Sequence, residues 1–197
     1  MPLIQATTGP SWAVIVGNNR DVQIFTSQGP EIRLNNGQWQ YVHVENIVSF
    51  ISKYMENVEA ASKIFRVAFC LSLMRIGSLI LIPDRKERPR YVSAIDTSKV
   101  KNSISKTIEG MNISEFLDGA GMFGVFGSDG LTVVKPNGTI ESAGNIISLG
   151  TSAERIPGGG RTQAAAASSK FGLAVKVSED GPISLYRDGK LIIQTNG

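Results

Sequence analysis

The sequence predicts a mixed α/β (α+β) domain, in which helices cover a mixed central β-sheet, with a β-rich extension at its N-terminus. Three observations favour this class. Apolar β-rich runs occur near both ends of the chain and in its middle, a helical periodicity dominates residues 44–76, and turn signals separate most of the runs. We expect an N-terminal extension over residues 1–45 and a main domain over residues 46–197.

The extension contains two predicted hairpins. Residues 11–25, SWAVIVGNNRDVQIF, place two β-rich segments on either side of Gly-Asn-Asn. Residues 31–44, EIRLNNGQWQYVHV, repeat this form around an Asn-Gly turn signal. Together they predict a four-strand β module over residues 10–45.

After the extension, apolar residues recur at helical spacing. The positions that share this spacing are Ile47, Val48, Ile51, Tyr54, Met55, Val58, Ile64, Phe65, Ala68 and Phe69. They predict one long helix or two, ending near Ile76 and Gly77. The continuous apolar run SLILIP predicts a buried strand closed by Pro83, and residues 84–100 predict a polar loop with one edge strand.

The C-terminal half alternates strands with short helices. Ser114 is placed to cap a short helix, and residues 131–149 predict two strands around a Pro-Asn-Gly turn. A Gly-rich loop then leads to a helix over Thr162–Lys170, with Gly172 as its C-terminal stop. The last predicted elements are three strands in residues 173–194, with turns at Glu-Asp-Gly and Arg-Asp-Gly.

Composition argues against several function classes. The net charge of +3 over 197 residues is too small to indicate nucleic-acid binding, and the run DRKERPR mixes acidic residues and a proline with its cations. His43 and Cys70 are the single histidine and cysteine, so we expect no zinc site, internal disulfide or Ser-His-Asp triad. No run of 18 apolar residues occurs, and we therefore expect a cytoplasmic protein without a membrane segment.

The stretch RIPGGGRTQAAAASSKFG, residues 155–172, joins a glycine loop to a run of strong helix formers. A helix start exposes free N–H groups and the positive end of the helix dipole, and glycines let a ligand approach the backbone. This combination suits a phosphate, and a plain connecting loop is the alternative. The stretch fits neither a Walker A loop nor a dinucleotide-binding fingerprint.

Three polar points fall at element ends in the same half of the chain. Asp129 and Gly130 precede a strand, Arg161 lies at the helix start, and Ser178-Glu179-Asp180 closes a strand. Two carboxylates and an arginine beside an open helix start could hold Mg²⁺ or Mn²⁺ together with a nucleoside triphosphate. Ordinary turns and a surface charge are the alternative interpretation.

At these residues the chain resembles the diadenylate cyclase domain shared by the DNA integrity scanning protein and the membrane-bound cyclic di-AMP synthases. The resemblance covers about residues 60–195 and rests on SLMRIGSLILIPD, Asp-Gly-x, ESAGNIISL, the Gly-rich loop with its arginine, and VKVSEDGPISLYRDGKL. It implies a domain that makes cyclic di-AMP from two ATP molecules, with two domains face to face and one ATP in each.

The resemblance also implies site residues. Asp129 would bind metal and activate the 3′-hydroxyl, with Gly130 retained and Leu131 adding bulk where the family has alanine. The DGA at 118–120 lies too far before SAGNIISL for this role. Ser178 and Glu179 match the family's Ser-Glu, with Glu179 as a second metal ligand. The adenine pocket maps to Ala143, Gly144, Ile146, Ile147 and Leu149.

The departures from the family fall on its phosphate motif, Gly-Thr-Arg-His-Arg-Ala-Ala. The corresponding residues are Gly159, Gly160, Arg161, Thr162, Gln163, Ala164 and Ala165, so the first arginine remains while the threonine, histidine and second arginine are absent. Losing one donor to transition-state charge typically costs about 2.7–4 kcal/mol. We therefore favour a degenerate sensor that binds ATP or a cyclic dinucleotide. A divergent active cyclase and a module that kept only the fold are the alternatives.

Overall fold

The computed structural model describes residues 13–16, 22–26, 29–35, 37–41, 44–96, 107–116, 121–127, 129–147 and 157–195. The chain forms two compact units, of which the first ends at Ile47 and the second runs from Val48 to Thr195. Among the described helices, none is both long enough and apolar enough to cross a bilayer.

The first unit contains a four-stranded antiparallel sheet. Its strands are β1 (Ala13–Val16), β2 (Val22–Thr26), β3 (Gly29–Asn35) and β4 (Gln38–Tyr41), and they lie side by side in chain order. The turn between β3 and β4 contains Gly37 at φ +77°, which is the left-handed conformation that the Asn-Gly signal predicts. The β-rich N-terminal extension is confirmed.

The periodic segment forms two helices, α1 (Val44–Ser52) and α2 (Val58–Leu73), which resolves the choice that the sequence left open. Helix α2 begins because the Asn57 side chain accepts a hydrogen bond from the Ala60 N–H at 2.7 Å. It ends earlier than expected because Arg75 takes a left-handed conformation, at φ +57°, and the Ile76 N–H returns to the Leu71 carbonyl at 2.9 Å.

The second unit is built on a seven-stranded mixed sheet. Its strands are β5 (Ser78–Pro83), β6 (Ile95–Asp96), β7 (Leu131–Val134), β8 (Ile140–Ile147), β9 (Gly172–Val177), β10 (Ile183–Arg187) and β11 (Lys190–Gln194). Their order is β11-β10-β9-β5-β7-β8-β6, with β5 and β7 parallel and the other described pairs antiparallel. The predicted mixed sheet is confirmed.

Three further helices lie in the described part of this unit: α3 (Arg88–Ala94), α4 (Gly121–Phe126) and α5 (Gly160–Ser168). Short 3₁₀ turns occur at Arg85–Glu87 and Ile113–Phe116. The polar loop expected before the edge strand contains a helix instead, because buried Tyr91 anchors α3 to the sheet. The predicted edge strand does form, as β6.

The core lies on both faces of strand β5, whose six residues are all buried. Leu79 and Leu81 share a cluster with Ala165 and Ala166 of α5, so α5 covers their face. Side chains alternate along a strand, and Ile80 and Ile82 therefore point to the other face. Helix α2 packs against β9 and β10. This layering fixes the ends of β5, β7 and β9 relative to the start of α5.

Candidate functional site

The candidate site lies at one end of the seven-stranded sheet. Leu79 of β5 is opposite Leu131 of the parallel strand β7, and Ser78 is opposite Val177 of the antiparallel strand β9. The residues that precede β5 and β7 therefore meet the residues that follow β9. This register brings together three segments that are far apart along the chain.

Arg161 joins the two predicted carboxylates at this end. Its Nη1 lies 2.6 Å from Glu179 Oε1, and its Nη2 lies 3.7 Å from Asp129 Oδ1. The Asp129 side chain is 98% exposed, so its attraction to Arg161 is screened by water and contributes little to stability. The structure thus brings Asp129, Arg161 and Glu179 together around one guanidinium group.

Gly77 is a site residue that the sequence marked only as a helix end. A Cβ atom at this position would lie 2.6 Å from Arg161 Nη1 and 3.1 Å from Glu179 Cγ. A side chain at residue 77 would displace the guanidinium group of Arg161, so glycine at this position leaves the space that the guanidinium occupies. The signal available in the sequence was a glycine directly before a buried strand.

Gly130 holds Asp129 at the start of β7. It has φ +108°, and a Cβ atom there would lie 2.6 Å from the carbonyl carbon of Gly144 on β8. Only glycine fits at position 130, where the backbones of β7 and β8 approach this closely. Leu131 is 1% exposed and belongs to the core cluster, so its bulk lies in the core and not against the exposed Asp129 carboxylate.

Helix α5 starts at Gly160, two residues before the predicted Thr162. Gly159 is the N-cap and provides no side-chain hydrogen bond, while its carbonyl accepts from the N–H groups of Thr162 at 3.0 Å and Gln163 at 3.1 Å. Within the described part of the chain, the N–H groups of Gly160 and Arg161 have no acceptor. Two donors therefore remain open at the positive end of the helix.

Lys176 of β9 reaches the same helix turn and was not identified from the sequence. Its Nζ donates to Thr162 Oγ1 at 2.9 Å. Burial lowers the pKa of the Lys176 ammonium group, and the charge of Asp180 opposes that shift. The only sequence signal was a lysine inside an otherwise apolar strand.

The remaining predicted residues lie around this cluster. Gln163 is half-buried in the first turn of α5, and Ser178 closes the β9–β10 turn through its backbone, donating to the Pro182 carbonyl at 2.9 Å. Ile146 is 46% exposed and Ile147 is 8% exposed, as expected for neighbours on opposite faces of a strand. Leu149 lies outside the described residues.

The carboxylates of Asp129 and Glu179 are too few to hold a metal ion by themselves. No group of three His, Cys, Asp or Glu side chains that could hold an ion is found among the described residues. Carboxylate oxygens suit Mg²⁺ or Mn²⁺, and Asp129 and Glu179 would supply only part of a six-ligand shell. Arg161 now lies between them, so an ion requires further oxygen ligands and a different position of this guanidinium.

A separate cleft of about 240 Å³ lies at the opposite end of the sheet, beyond Pro83 of β5 and Lys135 after β7. Its charged groups are largely paired within the protein. Glu56 bonds Arg85, Tyr91 bonds Glu141, and Asp84 bonds Arg187. The candidate functional site is at the other end, where the start of α5 converges with the Arg161 guanidinium and with a Lys176 ammonium group that, among the described residues, has no carboxylate partner.

No protein-family model and no curated protein matches this chain. Several solved structures are similar to it, among them the following two. A hypothetical membrane spanning protein from Bacillus cereus is 24% identical, with a TM-score of 0.53 over 74% of this chain and 69% of that one. A double mutant of DacA from Staphylococcus aureus, a diadenylate cyclase, is 20% identical, with a TM-score of 0.44 over 75% and 85%. At 24% identity the first likeness bears on the fold alone.

Proposed function

We propose that the unit from Val48 to Thr195 binds an adenine nucleotide or a cyclic dinucleotide, as a sensor domain of the diadenylate cyclase type. The observation that carries this proposal is the meeting of Asp129, Arg161 and Glu179 beside the open start of α5. The three residues come from separate motifs of the resemblance, and the fold brings them within ion-pair distance.

A phosphate group suits this arrangement better than any neutral ligand. The Arg161 guanidinium can exchange a carboxylate for a phosphate and keep a charge-assisted hydrogen bond. The N–H groups of Gly160 and Arg161, which have no acceptor among the described residues, and the helix dipole add further attraction for an anion. Asn145 of β8 lies opposite Leu131, so exposed Ile146 is at the same end of the sheet and offers apolar surface for a base.

The choice of a sensor rests on the phosphate loop. Thr162 and Gln163 stand where the family has histidine and its second arginine, and a loop left with Arg161 as its one cation stabilises a leaving pyrophosphate poorly. The alternative is an active cyclase that condenses two ATP molecules to cyclic di-AMP in a face-to-face dimer. The assembled carboxylates Asp129 and Glu179 favour that alternative, because the resemblance matches them to metal ligands of the family.

The cofactor in either case would be Mg²⁺ or Mn²⁺, held only when a nucleotide is present. Phosphate oxygens would complete the ligand shell and would also draw Arg161 away from the carboxylates. Asp129→Asn should therefore weaken ATP binding in the presence of Mn²⁺ and leave binding without a metal nearly unchanged.

Calorimetric titration with ATP, AMP and cyclic di-AMP, each with and without MnCl₂, tests the proposal. Heat of binding for at least one of them supports a nucleotide-binding domain, whereas no heat at millimolar ligand contradicts it. Incubation with ATP and MnCl₂, followed by chromatography, separates the two candidates. Accumulation of cyclic di-AMP identifies a cyclase, and binding without product identifies a sensor.

A further inference from the structure

We infer that Lys176 is a phosphate-binding residue of this site, and that it supplies from strand β9 the positive charge that the loop lacks. The inference rests on the proposed nucleotide-binding function. It also narrows the ligand to a nucleoside di- or triphosphate, because Arg161 and Lys176 lie beside the same helix turn, and two neighbouring cations suit phosphate groups that are joined to each other.

The fold determines where the Lys176 side chain goes. Lys176 lies opposite Leu79 of β5 and Ser184 of β10. Ala174, two positions earlier on the same strand, packs in the cluster that includes Ala165 of α5. Because side chains alternate along a strand, Lys176 leaves the same face of the sheet as Ala174 and runs toward α5.

The ammonium group ends at the first turn of that helix. Its Nζ donates to Thr162 Oγ1 at 2.9 Å. Thr162 is the position at which the resemblance places the family's histidine. The Lys176 ammonium group on β9 therefore lies beside Thr162, the position at which the family has a histidine and this chain has a neutral side chain.

The charges around Lys176 leave it available for a ligand. Arg161 has Glu179 at 2.6 Å and Asp129 at 3.7 Å. Among the described residues, Lys176 has no carboxylate within ion-pair distance, and its side-chain partner is a neutral hydroxyl. It also lies near the positive end of α5, which disfavours a cation. Asp180 acts on it only as a more distant charge. An anion placed between Lys176 and the helix start would give the ammonium group an opposite charge and would also offset its repulsion by the positive end of α5.

Two variants separate charge from packing. Lys176→Met keeps most of the apolar stem and removes the charge, while Lys176→Arg keeps the charge. We expect K176M to weaken ATP about ten- to a hundredfold, as for a lost hydrogen bond to a charged group. AMP should change less than about threefold, adenosine should not change, and K176R should stay close to the original protein. Lys170→Met, at an exposed position just after α5, is the matched control and should leave all affinities unchanged.

The outcomes distinguish this inference from the proposed function. If the unaltered protein binds neither ATP, AMP nor cyclic di-AMP, both fail, and if it binds cyclic di-AMP alone, only the inference fails. If it binds ATP and K176M binds ATP equally well, Lys176 has no such role and the proposed function stands. Equal losses for ATP and adenosine would make Lys176 a structural residue and overturn the inference.

A measurement on the unaltered protein covers the case in which K176M does not fold. Lysines are labelled with an amine-reactive reagent and located by mass spectrometry. ATP should protect Lys176 from labelling, whereas adenosine should not, and Lys170 should be labelled equally in both samples. Equal labelling of Lys176 with ATP and with adenosine would overturn the inference.

Discussion

At the scale of single residues, Arg161 is the group that a phosphate would meet first. It is partly exposed, and its guanidinium contacts two carboxylates that a ligand can replace. Arg161→Ala should weaken ATP binding by about 1.5–3 kcal/mol, the range for hydrogen bonds to charged groups, and should barely affect adenosine. Calorimetry with both ligands measures the difference.

The control for this change is Arg85→Ala. Arg85 is also an exposed, ion-paired arginine, and it lies at the opposite end of the sheet, next to Glu56. Both variants should keep the stability of the original within about 0.5 kcal/mol. Equal losses of ATP and adenosine affinity in R161A, or an unfolded domain, would make Arg161 a structural residue.

Gly77 offers a second test at this scale, because it acts only through its neighbour. Gly77→Ala places a Cβ atom 2.6 Å from Arg161 Nη1, and the end of the arginine side chain must move. The fold should survive, since the displaced atoms are the end of a flexible side chain, whereas ATP affinity should fall several-fold. In an R161A background the same substitution should have almost no effect on ATP binding. If the losses of ATP affinity from G77A and R161A were additive, Gly77 would not act by making space for the Arg161 guanidinium.

At the scale of secondary structure, sequence patterns predicted elements that carry their own signal. The helical period, the apolar run SLILIP and the Gly-containing turns each depend on neighbouring residues, and α2, β5 and β7–β11 followed. Helix α3 was missed because Tyr91, which anchors it, lies among charged residues in the sequence and follows Pro89 and Arg90. What stabilises α3 is contact with the sheet, which no local pattern records.

One ion pair connects two elements at the end of the sheet away from the site. Arg187 at the end of β10 bonds Asp84, which follows β5, at 2.6 Å, and both side chains are less than one third exposed. Asp84 raises the pKa of Arg187 further. Asp84→Asn should lower the free energy of unfolding by about 1–2 kcal/mol, as measured by urea denaturation. Asp188→Asn, which removes a mostly exposed carboxylate 3.4 Å from Arg187, should cost much less. If D84N and D188N lowered the free energy of unfolding equally, the hydrogen bond between Asp84 and Arg187 would add no stability beyond that of an exposed ion pair.

At the scale of the whole molecule, some residues of the candidate site belong to sequence motifs, and others came to light only from the fold. Asp129, Arg161 and Glu179 were predicted because each belongs to a short motif that can be compared with a known family. Gly77 and Lys176 belong to no such motif. Their positions follow from the register of β5 against β9, which depends on pairing between residues that are far apart in the chain.

The central position of β5 has a consequence for how fast the site can form. Leu79 pairs with Leu131 and with Lys176, partners that are about 50 and about 100 residues further along the chain. Pairing at such separations makes folding slow, and we expect milliseconds to seconds. Asp129 and Arg161 meet only after β7 and β9 have both joined β5, so ATP affinity should appear in the slowest refolding phase. Stopped-flow refolding with a fluorescent ATP analogue would time this step. A signal that rises in the earliest phase would mean that the phosphate loop binds before the sheet is complete.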